Sequence, residues 1–598
     1  MSRLTTLLVT TALLGTAMLT QAHAVDWQFS GFVRSDTALN TEDDPLNPFN
    51  QFGNPYNGVA TPRNGIYPDT ATRNFVNSPQ TLDLQQFRAE LDATGRFNEE
   101  FQLVTRARIV TDPGAYASEP GLPAPNYLGY TVQGNGHPIP LEFSSRNYNI
   151  DFPALFAEYN SGPLDVRLGN QQIAWGQAIF FRVLDVPDGL DFRRHSLLDY
   201  VPEEFSDKRV PTPALRATYQ VTDNWLIDGF VEKFEPSIYP NTNTPYNFIA
   251  SQFTVYDKYN AYNADVNEGI RVKGSIGDIG LQAIYAHRYN PDGVYRWTAS
   301  GVDRDIPGLV GSGQLLEHTP FEVSANGVWS ANEWFNYAAQ SRLNGLTGLN
   351  AAITDFSPYT SLLGAVPVPN MAYARQELDT FFQLAGGAEL GQNNGGLVGT
   401  IAREYRQEDD FGAGASYVTS GPPGSLLDQL IINVEGLYVP NRTFTAPSLD
   451  VNFLRKPETT VAVVLEKYQR FFESLPATYL VGQFLYKSES DIFGRYIGGL
   501  GGTENQLPNG YGGGFKAAAF ALQQPFPNLI WRFDFAALYD LKGGLLLQPA
   551  IRWKPSGNWS VELFYNYINA RIGKNPNENI FGGIQYADEV TLRVGYQF

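Results

Sequence analysis

The chain has 598 residues, 43% of them hydrophobic, 14% aromatic and only 17% charged, with 57 Gly, 39 Pro and 0 Cys. A formal net charge of -19 argues against nucleic acid as a partner, because phosphate binding needs concentrated Lys and Arg; acidic external loops explain the charge more simply. Without Cys, no disulfide framework stabilises the fold.

Arg3 precedes an apolar run from Leu4 to Leu19, and Ala22-His23-Ala24 places small residues at the two cleavage-determining positions. This pattern predicts a secretory signal peptide over 1–24 and a mature chain from near Val25, read as one domain over 25–598. No later stretch is long and apolar enough for a spanning helix, which needs about 20 residues. A large all-β transmembrane barrel of antiparallel strands is the expected fold.

In chain order the alternation predicts strands at Trp27–Arg34, Leu82–Ala93, Gln102–Val110, Phe152–Tyr159, Val166–Trp175, Ala214–Val221, Leu226–Phe234, Val266–Ser275 and Gly280–Arg288. The second half adds about ten to twelve, for an even total of roughly 18–22, with 16 as the lower alternative. An even count keeps both ends in the periplasm.

Brief turns are expected at Thr94 to Asn98, Asn160 to Pro163, Thr222 to Asn224, Gly277-Asp278, Ser330 to Glu333, Gly391 to Gly396 and Lys554 to Asn558. Between them run long Gly-, Pro-, Asn- and Asp-rich connections: Asp36 to Gln80, Asp112 to Asp151, Gly176 to Pro211, Glu235 to Asp265, Tyr289 to Glu317, Asn344 to Leu378, Gln407 to Asp428 and Lys487 to Asn509. Short periplasmic turns and long external loops characterise transmembrane barrels. Trp225, Trp329, Trp334, Trp553 and Trp559 flank the short turns, with Trp27 and Trp531 expected at the same level, as indole rings favour a membrane interface. One segment departs from the alternation: Val464, Tyr468, Phe471, Phe472 and Leu475 recur at helical spacing, so a short helix is expected there.

The last strands are the clearest. Trp531, Phe533, Phe535 and Tyr539 oppose Arg532, Asp534 and Asp540; Leu545, Leu547, Ile551 and Trp553 oppose Gln548 and Arg552. Trp559, Val561, Leu563, Tyr565 and Tyr567 oppose Ser560, Glu562, Phe564 and Asn566; Val590, Leu592, Val594, Tyr596 and Phe598 oppose Thr591, Arg593, Gly595 and Gln597. Bulky apolar residues on one face and charge on the other suit lipid outside and water inside. A chain ending on Tyr596 and Phe598 matches an outer-membrane insertion signal, which implies outer-membrane lipid and the barrel-assembly machinery as partners.

Two blocks carry a resemblance. The first is Arg167-Leu168-Gly169-Asn170-Gln171-Gln172-Ile173-Ala174-Trp175-Gly176-Gln177 with Arg182, Asp185 and Asp191-Phe192-Arg193-Arg194. The second is Leu465-Glu466-Lys467-Tyr468-Gln469-Arg470, with Pro476-Ala477-Thr478-Tyr479-Leu480 and Ser490-Asp491. Together they resemble a proteobacterial outer-membrane family known only as a domain of unknown function, number thirteen hundred and two, over nearly the full length. The family pattern has Asn-Pro where this sequence has Pro187-Asp188-Gly189, so the turn there differs. The resemblance implies a barrel in the outer membrane of a Gram-negative bacterium, with a periplasmic lipid-carrier-like protein and an inner-membrane exporter of the lipid-transporting type as candidate partners.

The segment from Arg182 to Arg209 is the most charged, and its Arg182, Asp185, Asp188, Asp191, Arg193 and Arg194 are the pore or constriction candidates if the loop folds into the lumen; a solvated, internally paired loop is the alternative. Inward candidates on strands are Arg106, Arg108, Glu232, Arg271, Lys273, Arg403, Arg532, Asp534, Arg552, Glu562 and Arg593. No G-x-S-x-G, H-E-x-x-H or phosphate-cradling loop occurs, so no catalytic residue, metal or cofactor is expected. His287 is the residue to suspect if the barrel were a hydrolase. The reading is a barrel channel or export/uptake conduit for a small hydrophobic or amphipathic molecule, with a non-conducting docking barrel and a membrane-embedded hydrolase as alternatives.

Overall fold

The computed structural model describes residues 25–41, 82–111, 139–145, 148–193, 208–239, 253–298, 305, 310–324, 331, 334–335, 338, 345–357, 359–362, 364–386, 396–498, 513–573, 579–582, 584–585 and 587–598. The first half contains β1 (Asp26–Asn40), β2 (Leu82–Arg96), β3 (Phe101–Thr111), β4 (Phe143–Ser144), β5 (Tyr148–Ser161), β6 (Leu164–Gln171), β7 (Thr212–Thr222), β8 (Trp225–Lys233), β9 (Phe253–Asp257), β10 (Val266–Ile276) and β11 (Ile279–Tyr289). Then come β12 (Val294–Trp297), β13 (Phe321–Ser324), β14 (Gly396–Glu404), β15 (Gln407–Val418), β16 (Ile431–Phe444), β17 (Leu454–Gln469) and β18 (Thr478–Lys487). The last are β19 (Phe515–Pro525), β20 (Trp531–Asp540), β21 (Gly544–Trp553), β22 (Trp559–Asn569) and β23 (Glu589–Gln597).

Among the described residues, 18 antiparallel strands close on themselves, because β1 pairs with both β2 and β23. The seam is tied by Phe598 N–H to the Gly31 carbonyl at 2.9 Å and Gly31 N–H to the Phe598 carbonyl at 3.0 Å. Arg593 reaches Asp36 across it at 2.6 Å. Among the described residues the closed wall has no free edge strand, although β2, β5, β16 and β17 overrun a neighbour at one end.

Outward positions carry Phe29, Leu91, Ile109, Leu168, Leu215, Ile270, Phe411, Leu465, Phe533, Ile551 and Leu592, all exposed, while Glu90, Arg108, Asp228, Glu435, Gln483, Asp534, Gln548 and Arg593 point inward and are buried. The soluble arrangement is inverted, as the alternation predicted. Trp27, Trp531, Trp553 and Trp559 are exposed at the rim of the short turns, with Trp531 stacked on Trp553 at 5.7 Å.

All nine expected first-half strands are present, although β6 ends at Gln171 and not at Trp175, which is buried inside the barrel. The second half contributes nine barrel strands, fewer than expected. The reason is the span 290–406, which supplies none: β11 pairs directly with β15 from Ile279↔Tyr417 to Tyr289↔Gln407. Its apolar runs pair with one another and with β9 in a separate four-stranded sheet, beside helices α1 (Ser312–Glu317), α2 (Gly345–Asp355), α3 (Tyr359–Leu362) and α4 (Met371–Gly386).

Several expectations are corrected by this insert. The expected turns at Ser330 to Glu333 and Gly391 to Gly396 lie almost wholly outside the described residues, and β14, which starts at Gly396, is not a wall strand; Trp334 is buried against Trp297 at 5.7 Å and is no rim residue. Trp329 lies outside the described residues. Arg403 sits on β14, buried against Asp257, and not on the barrel wall. Gln407 to Asp428 is mostly strand β15 and not a long loop, and Asp36–Asn40 complete β1. The helix expected around Val464 and Tyr468 is also absent, since β17 runs through Gln469 with ladders to β16 and β18. Val461, Val463 and Val464 suit a pleated wall, and that local β preference outweighs a short accidental helical spacing.

Candidate functional site

The first resemblance block marks the place where the chain leaves the wall. Gly169 has φ +138°, and a Cβ there would lie 2.4 Å from the Leu155 carbonyl oxygen, so only glycine fits this bend. Three amides then replace the missing ladder. Asn170 Nδ2 donates to the Phe152 carbonyl at 2.7 Å, Gln171 Nε2 to that of Ala214 at 3.0 Å, and Gln172 Nε2 to that of Arg209 at 2.6 Å.

From there residues 172–193 fold into the lumen as a plug. Ile173, Trp175, Phe180, Phe181, Val183 and Leu184 are buried, each such side chain contributing roughly 2 kcal/mol of apolar transfer. Trp175 Nε1 donates to Asp228 on β8 at 3.0 Å, and Asp228 is held by Arg216 at 2.7 Å and Arg271 at 2.8 Å.

On the far wall the plug is latched by two side chains. Gln483 Oε1, on β18, accepts the N–H groups of Ile179 at 3.1 Å, Phe180 at 2.7 Å and Phe181 at 3.3 Å, and its Nε2 donates to the Phe181 carbonyl at 2.9 Å. Glu435, on β16, accepts from Gln177 N–H and, at 3.3 Å, from Leu184 N–H. Three consecutive N–H groups aimed at one oxygen form a concavity of the kind that receives anions. Sequence reasoning missed both latches, because a polar inward residue such as Gln483 reads as ordinary lumen lining.

The six constriction candidates are placed as follows. Asp185 joins the plug to its return: Oδ1 accepts from Trp175 N–H at 3.0 Å, and Oδ2 lies 3.0 Å from Arg182 and 2.7 Å from Arg209. Arg182 Nη2 donates to the Asp185 and Asp188 carbonyls at 2.5 and 2.7 Å. Asp188 Oδ2 accepts from Ile173 N–H at 2.7 Å; burial, with Glu232 and Asp185 nearby, holds its carboxyl well above the ordinary range. Arg193 forks between Glu142 at 2.7 Å and Asp191 at 3.0 Å, all three buried. Arg194 lies outside the described residues. A cavity of about 150 Å³ remains beside the plug, between Arg182, Asp185 and Asp188 and the wall cations Arg288, Arg442 and Lys487.

The lumen candidates form wall ion pairs. Arg106 meets Asp92 at 2.6 Å, Arg108 Nε meets Asp151 at 2.9 Å, Arg532 meets Asp534 at 2.8 Å, and Arg552 meets Glu562 at 2.5 Å. Tyr596 packs on Trp559 at 5.1 Å beside the seam. His287 points outward, its Nδ1 2.8 Å from Asp409, with the Tyr285 hydroxyl 2.9 Å from the same carboxylate. Among the described residues no cluster of three or more His, Asp or Glu could hold a metal ion.

Fold and site together define a closed 18-stranded barrel whose lumen is entered by a plug from its own wall. Over residues 3–598 the sequence matches the family described as protein of unknown function, DUF1302, and the chain belongs to that family. No curated protein matches it. Among solved structures it is similar to Acinetobacter baumannii OccAB2 (9% identity, 96% of this chain and 98% of that one, TM-score 0.43). It is also similar to A. baumannii OccAB3 (10%, 96% and 99%, TM-score 0.41) and to Pseudomonas aeruginosa OpdK with vanillate (7%, 96% and 98%, TM-score 0.39). At such overlaps the barrel assignment rests on the chain's own strand pairing.

Proposed function

We propose that this protein is a gated conduit in the outer membrane of a Gram-negative bacterium, and that it passes a small amphipathic or hydrophobic molecule. The observation that carries the reading is the latched plug: a barrel meant only as a scaffold has no need of a segment bonded reversibly across its lumen through Gln483 and Glu435. The cavity beside it supports the amphipathic class, since Val183, Val186, Leu437 and Phe493 line it together with charged Arg288 and Arg442. In this reading the termini and the short turns face the periplasm, 1–24 is removed on export, and the outer-membrane lipid and barrel-assembly machinery are partners. A periplasmic lipid-carrier-like protein and an inner-membrane exporter would deliver or collect the cargo, and the barrel performs no catalysis.

The test replaces residues 176–189 by a short glycine link and records single-channel current in planar bilayers. Steady ohmic steps, absent or rare in the intact chain, are expected. A second reading, a non-conducting docking barrel, draws on the same plug as a permanent seal; bilayers that stay closed after its removal would favour that alternative.

A further inference from the structure

We propose that the turn between β15 and β16 is a lipid-binding flap, which folds back over the outside of the wall and seats Leu426 and Leu427 in the periplasmic leaflet of the membrane. This goes beyond the conduit reading and rests only on its membrane location.

The second resemblance block supplies the clamp. β17 turns Val464 and Glu466 to the lumen, where Asn433 Nδ2 donates to Glu466 at 3.2 Å, and so turns Val463, Leu465, Lys467 and Gln469 outward. A lysine and an amide left facing lipid would be costly, yet both side chains are buried. The preceding turn covers them: Lys467 Nζ donates to the Asp428 carbonyl, and Gln469 Nε2 to that of Gly424 at 2.9 Å.

The turn is also held from within. Thr419 Oγ1 donates to the Leu427 carbonyl, Asp428 N–H to that of Ser425 at 3.1 Å, and Gly424 N–H to the Asp428 carboxylate at 3.0 Å. Residues 419–427 carry no charge, and in this ordered turn Leu426 and Leu427 stay 59% and 60% exposed.

The tryptophan belt fixes the depth. Carried from strand to strand by residue pairing, the level of Trp225 on β8 reaches Val463 on β17 and Tyr539 on β20, which stands eight residues past Trp531. Eight ladders separate β8 from β20, so the belt shifts by one residue per strand against the pairing, the stagger of a tilted barrel. It therefore crosses β17 five residues beyond Val463, at Tyr468. Lys467 and Gln469 flank that level. The flap pinned to them lies outside the wall at the membrane interface, where an exposed leucine meets acyl chain.

Further along the rim, Phe526, Leu529 and Ile530 are exposed beside Trp531 and extend the same apolar fringe. The turns at Gly277-Asp278 and Lys554 to Asn558 present no large apolar side chain. The leaflet thus grips one arc of the barrel, from β15 to β20, and that arc carries both Glu435 and Gln483.

The chain has 0 Cys, so single cysteines can be labelled without background. A polarity-sensitive fluorophore is attached to Leu427→Cys, Leu529→Cys, Phe484→Cys on the outward mid-wall and Ser556→Cys, each in the full chain reconstituted in phosphatidylcholine vesicles. Quenching is read with phospholipids that carry a nitroxide high or deep on the acyl chain. Quenching at residue 427 by the shallow nitroxide is expected to exceed that at residue 556 several-fold. Replacing both Lys467 and Gln469 by Ala should remove most of it while residue 529 keeps its own; an unchanged signal would overturn the clamp. Residue 427 no better quenched than residue 556, with residue 484 quenched by the deep nitroxide, would overturn the flap and leave the membrane location standing. No quenching at residue 484 would overturn both. A label at residue 427 that is unquenched in vesicles but shielded from soluble iodide in intact envelopes would assign the leucines to a periplasmic protein and overturn lipid as the occupant.

Discussion

Gln483→Ala removes the larger latch, and its effect can be sized. One amide oxygen has two lone pairs, so three N–H groups at 2.7 to 3.3 Å amount to about two effective bonds, and the donation to the Phe181 carbonyl makes a third. At a net 0.5–1.5 kcal/mol each, seating should weaken by about 3 kcal/mol, a shift of roughly 100-fold in the ratio of open to closed channels. The apolar burial of Trp175, Phe180 and Leu184 is untouched, so the plug should flicker and not be lost. Single-channel recording at fixed voltage measures that ratio, with the variant's folding checked by its resistance to unfolding in cold detergent gels. A correctly folded variant whose open-to-closed ratio equals that of the wild type would refute the latch.

The Asp188 carboxyl is held well above its ordinary range by burial first and by Glu232 and Asp185 second, so the seated plug favours its protonated form. The seated state thus binds the extra proton: seating is fully favoured below the ordinary value and is lost as pH rises through the raised one, so open probability should climb with pH, and Asp188→Asn should flatten the climb. Arg193→Ala strands Glu142 and Asp191 as buried charges, and a loss of about 3–5 kcal/mol in urea unfolding is expected, against little change for a surface arginine. At the seam, a Cβ on residue 31 would lie 2.8 Å from the Phe598 ring and 2.4 Å from the Glu90 carbonyl, so Gly31→Leu should cut the yield of assembled barrel in membrane fractions, and Phe598→Ala should do so more mildly.

The wall was legible because a two-residue period needs only local sequence: Leu592 outward and Arg593 inward follow from the pleat alone. The insert over 290–406 was misread for the same reason, since the strand that carries Arg403 has the composition of a wall strand and nothing local says that its partners are β9, β12 and β13. The block from Arg167 to Gln177 could be singled out, yet its job could not, because the amides of Asn170, Gln171 and Gln172 matter only once a strand is known to end there. The charged residues Asp185 and Arg193 were found by their density, whereas Gln483 and Glu435 lie in ordinary strand alternation with no signal of their own.

The two latches join residues far apart in the chain: Gln177 and Glu435 are 258 positions apart, and Ile179 and Gln483 are 304 apart. Contacts that distant are slow to form, because a long loop must close before they reward it. The latches need β16 and β18 already in the wall, so the seal can form only on a barrel that is nearly complete. Seating becomes a late checkpoint of folding: a chain interrupted after β15 would keep the plug's ties to Asp228 and Arg209 but lack both latches, and the difference between a finished and an unfinished molecule would register as the difference between a closed and a leaking one.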